Sequence, residues 1–267
     1  MSIITPTGAA AIPTALYANR IAVSPSFRYR GEDAAAGTWA YWVYGGESLT
    51  QAGSGTAPSY LQSNSPLGAP DLSVLFGSGY RLESSGSSVG DITTEDFAVH
   101  AVVKLSSNAA NRCVMFKRGD RDDPQHFIGW ILYFSDAHKA SFMVSSVSGS
   151  STLESPSGLT TGAWYDIWAF VDRSEASTNG AALFVNGTLE TQLDMSARSG
   201  TITNAGTLVV GAFPLGSSPN ETWTWTYDSH IASLAMYKQA AWFPGGSSNI
   251  EQWSRIAWEQ HKLWIGA

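Results

Sequence analysis

The chain has 267 residues, 14% of them charged, and a formal net charge of −7. An acidic chain without a basic stripe does not suit nucleic acid, where phosphate contacts dominate affinity, nor an anionic membrane surface. A single cysteine, Cys113, excludes an intrachain disulfide, and no apolar run approaches the roughly 18 residues of a membrane span.

Residues 1–36 are interrupted by Pro6, Pro13 and Pro25, a spacing that disfavours helix and central strands. They read as an extended arm with one short strand, Ser26–Arg30. Such an arm either packs on its own domain or orders on a partner. The first Lys or Arg is Arg20 and no sustained apolar run opens the chain, so the start does not read as a secretory signal.

From Trp39 the texture changes. Trp39–Gly46 reads as an aromatic strand ended by glycines, and 52–70 as a Gly/Ser/Pro-rich loop. Leu72–Phe76 and Tyr80–Glu83, split by Gly77-Ser78-Gly79, read as a hairpin. Phe97–Leu105 alternates cleanly, with Phe97, Val99, Ala101, Val103 and Leu105 on one face and His100 on the other. No second histidine stands near at metal spacing, so His100 reads as a packed or solvated side chain. Further strands are expected at 113–117, where Cys113 acts as a small buried hydrophobe, and at 129–134, 140–147, 163–171, 181–185, 207–211 and 231–237. Asn186-Gly187 supplies the positive φ angles of a type I′ hairpin turn. Ile250, Trp253, Ala257 and Trp264 recur at helical spacing after Asn249, a good cap, and predict a helix over 249–264. The fold class is therefore all-β, a two-sheet antiparallel sandwich with an arm (1–36), a sandwich (37–248) and a C-terminal helix packing on it (249–267).

Chemistry is harder to find than strands. Glu32-Asp33 and Glu95-Asp96 are adjacent pairs, which a strand would send to opposite faces, so neither makes a glycosidase carboxylate pair. No Gly-x-Ser-x-Gly elbow and no phosphate loop is present. Trp223, Trp225 and Tyr227 alternate with threonines after a Gly/Ser/Pro/Asn loop. Period two would put their rings on one face, as a platform for a glycan or for a protein partner.

The ordered segments resemble the laminin-G-like, concanavalin A-like lectin/glucanase superfamily. The resemblance is carried by Leu72–Leu82, Thr93–Leu105, Phe116-Lys117-Arg118-Gly119, Gly129–Phe134 with Lys139–Val144, Leu159–Ile167, Ala182–Leu189, Thr207–Gly211 and His230–Tyr237. It implies a jelly roll of two packed antiparallel sheets. It also implies calcium as the cofactor to look for. The closing segment here reads Ile231-Ala232-Ser233-Leu234, without the acidic residue the family often places there, which leaves the loop residues Asp120, Asp122 and Asp123 as metal candidates. Otherwise no cofactor and no catalytic residue is expected. Similar domains occur in bacteriophage virion proteins, which reach the outside without a signal. The resemblance thus implies a non-enzymatic virion component, a capsid decoration or tail protein, docking on other virion proteins and on copies of itself. A carbohydrate-binding module for host-surface glycans is the alternative, and a cryptic glycoside hydrolase the third reading.

Overall fold

The computed structural model describes residues 27–30, 34–35, 38–39, 49–53, 58–62, 73–77, 80–84, 86, 88–105, 111–119, 128–215, 222–238 and 250–265. Their strands are β1 (Phe27–Arg30), β2 (Ala34–Ala35), β3 (Thr38–Trp39), β4 (Leu49–Gly53), β5 (Ser59–Gln62), β6 (Ser73–Leu75), β7 (Tyr80–Ser84), β8 (Phe97–Lys104), β9 (Arg112–Arg118) and β10 (Gly129–Phe134). They continue with β11 (Ala140–Ser146), β12 (Gly149–Glu154), β13 (Trp164–Val171), β14 (Ala181–Val185), β15 (Thr188–Leu193), β16 (Leu208–Val210), β17 (Phe213–Leu215), β18 (Thr222–Thr224) and β19 (His230–Lys238). Among the described residues one α-helix, α1 (Ile250–Ile265), follows.

Two antiparallel sheets form the sandwich of a jelly roll. Sheet A runs β15-β14-β13-β8-β19-β6-β5, with β1 on the same edge of β19 as β6. Sheet B runs β12-β11-β10-β9-β16-β7-β4-β3-β2, and β17 with β18 makes a separate hairpin. The alternation in β8 does what its period predicts: Phe97, Val99, Ala101 and Val103 enter the core. Ile167, Ala169 and Val171 join them from β13, against Trp130, Leu132 and Phe134 of β10 and Phe142 and Val144 of β11. Burying each such large side chain is worth about 1.5–3 kcal/mol. The one polar atom on the Trp130 ring is satisfied, since Nε1 donates to the Gly90 carbonyl at 3.0 Å.

The expected hairpin at 72–83 is a crossover instead. β6 pairs with β19 and β5 in sheet A, whereas β7 pairs with β4 and β16 in sheet B. Val74 and Leu82 therefore enter the same core from opposite sides. Phe76 plugs the crossing, and Gly211 (φ +90°) leaves the space for its ring, because a Cβ there would overlap it.

The short strand expected near the end of the arm is β1, whose Phe27 and Arg30 lie opposite Met236 and Ser233 of β19. Residues 1–26, 31–33 and 40–48 fall outside the described residues, and with them most of the arm and most of the Trp39–Gly46 strand. The Asn186-Gly187 turn has φ +51° and +75°, as a type I′ turn requires, and joins β14 to β15. Helix α1 lies directly on that turn. A Cβ on Gly187 would stand 2.9 Å from the Trp258 Cα, so the glycine is needed for the approach as well as the angle.

Candidate functional site

Tyr227 leaves the predicted row of Trp223, Trp225 and Tyr227. β18 ends at Thr224, and Trp225 adopts φ +44°, a left-handed conformation rare for a bulky residue. The turn sends Tyr227 inward. Its side chain is fully buried, edge-on to Phe76 at 6.4 Å, and its hydroxyl donates to the Lys104 carbonyl. Burial pushes that hydroxyl well above the ordinary tyrosine range, so it stays a neutral core donor. Trp223 sits opposite Pro214 in the hairpin, and its side chain lies outside the described residues. Asp120, Asp122 and Asp123 lie outside them as well; among the described residues no cluster of His, Cys, Asp or Glu could hold a metal ion.

Trp225 remains at the surface, half-buried, and its carbonyl accepts from the Cys113 amide at 2.8 Å. Its ring stacks with Tyr133 (5.4 Å, 25°) and Phe213 (5.0 Å, 24°) on the outer face of sheet B. Phe116, Ile131 and Val209 form the apolar bed beneath, together with Cys113, whose thiol burial pushes well up and out of nucleophilic range. Tyr133 was not among the residues singled out from the sequence.

Polar groups edge this platform. Tyr133, Ser141 and Glu154 are direct cross-strand neighbours on β10, β11 and β12. Ser141 Oγ donates to Glu154 Oε2 at 3.2 Å, and Lys139 Nζ lies 3.0 Å from Glu154 Oε1. Burial raises the Tyr133 phenol above its ordinary range, the Glu154 charge adds to this, and the hydrogen bond with Ser141 opposes it. Across the apolar bed, Glu83 is cross-strand from Val209 and pairs with Arg81. Arg112 Nε lies 3.2 Å from Asp228 Oδ1, three residues beyond Trp225. The face thus offers the partly exposed Trp225 ring for apolar stacking, with the Glu154 and Glu83 carboxylates at its edge to accept hydroxyl groups.

The outer face of sheet A is built differently. Trp168, Phe170 and Phe184 are covered by Trp253, Ile256 and Ala257 of α1 into a second core. His100 packs there, stacked on Trp168 at 4.2 Å, with Nε2 2.6 Å from Asp166 Oδ1. His261 of α1 brings Nδ1 to 3.8 Å from the other Asp166 oxygen. A His–Asp pair can orient a catalytic base, but Asp166 is 2% exposed and lies under the helix, out of reach of a polymer. Asp166 is instead tied to the β14–β15 turn, its amide donating to Asn186 Oδ1 at 2.9 Å.

A laminin G-like family model, described as the concanavalin A-like lectin/glucanases superfamily, matches residues 78–241. No curated protein gives a significant match. Among solved structures, domain 4 of a GH43 extracellular arabinanase from Geobacillus stearothermophilus, in complex with arabinotriose, aligns at 10% identity and TM-score 0.53, covering 88% of this chain and 98% of that one. The binding domain of botulinum neurotoxin serotype G aligns at 13% identity and TM-score 0.55, covering 89% of this chain and 51% of that one, so this chain spans about half of it. The Ruminococcus gnavus sialidase module CBM40 bound to α2,3-sialyllactose aligns at 14% identity and TM-score 0.48, covering 69% of this chain and 95% of that one. At such identities the likeness is one of fold.

Proposed function

This chain belongs to the concanavalin A-like lectin/glucanases superfamily, and on that premise we propose that it is a non-catalytic binding domain that takes glycans on the outer face of sheet B. One observation carries the reading: Trp225 is held partly exposed in a left-handed conformation, stacked on Tyr133 and Phe213 beside the Ser141–Glu154 pair. A ring so placed keeps apolar surface in water, which is costly for folding alone and useful for binding. The arabinotriose bound by the arabinanase domain and the binding role of the toxin domain support the same class of function for this fold. The test is a glycan array followed by calorimetry on the best ligand. Trp225→Asn, which tolerates positive φ, is expected to weaken binding at least about tenfold, or ~1.4 kcal/mol, with the far-UV spectrum unchanged. An array without a hit, or a variant that binds like the parent, sinks the reading. Catalysis is checked on the same oligosaccharides, where no product is expected after prolonged incubation.

A second reading concerns the setting. β1 and β2, at the end of the expected arm, are stitched into sheets A and B. Residues upstream of such an anchor can serve as a docking arm, and on that ground we propose the virion component expected from the sequence, with capsid or tail proteins and further copies of the chain as partners. Deleting residues 1–25, upstream of β1, is expected to abolish particle incorporation while leaving the domain folded. Unchanged incorporation removes that reading without touching the glycan site.

A further inference from the structure

We infer that the outer face of sheet B selects neutral glycans and disfavours sialylated or uronate-bearing ones, an inference that rests on the glycan reading above. Binding an acidic sugar takes a cation whose charge is not already committed, preferably the planar fork of an arginine. Among the described side chains on the rim of the platform, Lys139 has Glu154 against it and Arg81 has Glu83. A sugar carboxylate brought there would meet those acidic partners and lose its water without a compensating charge.

The placement of Glu154 sharpens the argument. It stands across from Ser141, which stands across from Tyr133, so the carboxylate lies in one cross-strand row with the stacking ring. Its negative field reaches the phenol, where it helps hold the proton on. The same field opposes any second negative charge stacked on this platform. Neutral sugars find what they need: carboxylate oxygens with spare lone pairs accept their hydroxyls, and the partly exposed Lys139 ammonium supplies donors.

The experiment compares matched oligosaccharides by calorimetry at low and moderate salt: lactose with α2,3-sialyllactose, and neutral galactan fragments with galacturonan fragments of equal length. The neutral member of a pair that binds is expected to be at least about tenfold tighter, the gap shrinking as NaCl screens the charges. Glu154→Gln, which keeps the shape and the bond from Ser141, is expected to narrow the gap to within about threefold; the salt series on the parent protein needs no variant to fold. An acidic member that binds as well as its neutral partner, or a gap that ignores both salt and Glu154→Gln, overturns the selectivity while the glycan site stands. Failure of every sugar in both series overturns the glycan reading and this inference with it.

Discussion

The two outer faces of one sandwich have opposite fates. On sheet A, the aromatics Trp168, Phe170 and Phe184 are roofed by α1 and become a second core, dry enough to bury Asp166 with His100. On sheet B, Phe116, Ile131, Val209 and Phe213 carry a comparable apolar bed, but Trp225 and Met143 at its margin stay partly exposed and charged pairs surround it. Apolar outer faces are thus no guide to function by themselves. Both beds are buried by the chain itself; what separates the two faces is the ring left partly exposed at the margin of sheet B, and the conformational cost at which it is held there.

The contrast can be broken from either side. The largest effect is expected at Trp253, whose ring stacks on Phe170 at 5.3 Å and is fully buried. Trp253→Ala should cost about 3–5 kcal/mol and free α1 from sheet A, read as a fall in the denaturation midpoint and loss of amide protection in 250–265. Gly187→Ala should cost less, about 1–3 kcal/mol, by forcing a side chain at φ +75° into the α1 backbone; urea unfolding measures it. Glycan binding on the far sheet should survive Gly187→Ala at temperatures where the variant is folded. If binding falls with helix docking, the two faces are coupled and the contrast fails.

The smallest effect is one of pH. His230, at the margin of sheet A, has its Nδ1 2.9 Å from Ser73 Oγ, and burial, with the Lys104 charge, pulls its pKa below the ordinary histidine value of 6.5. The unfolded chain therefore takes up this proton first. The stability due to the neutral ring is full above about pH 6.5 and is lost as pH falls from there to the depressed folded value. Urea midpoints at pH 7.5 and 5.5 should show this loss in the parent protein, and His230→Gln should remove part of it. An unchanged pH slope in the variant would mean the ring is wetter than its neighbours suggest.

Much of the fold is legible in the sequence where one physical rule acts alone. The alternation of 97–105, the Asn186-Gly187 turn and the helical spacing of Ile250, Trp253 and Ala257 each follow from local geometry. The 72–83 unit is misread because Gly77-Ser78-Gly79 suits a hairpin and a crossover equally, and the choice is made by a core that Val74 and Leu82 enter from opposite sheets. The site is misread for a related reason. Period two presumes extended backbone, and nothing in Thr224-Trp225-Thr226 announces φ +44° at a tryptophan. Tyr133 is hidden differently: Gly129–Phe134 is apolar throughout and buried on both faces, so no pattern marks the residue that meets Trp225. The meeting of His100 with Asp166, 66 residues apart, is a product of the β8–β13 register.

The position of β19 has a consequence for how this chain is made. Its last strand does not add to an edge; it slots between β8 on one side and β6 and β1 on the other. Until residues 230–238 leave the ribosome, the growing chain carries β8 as an open edge, with its backbone donors and acceptors unpaired on that side. Trp168 and Phe170 wait longer still, for residues 250–265. Closing by a central insertion of distant segments is slow compared with zipping neighbours together. Production of this domain should therefore be governed by how well the nascent chain is shielded during that interval, and helped by slow translation at low temperature more than by any added surface charge.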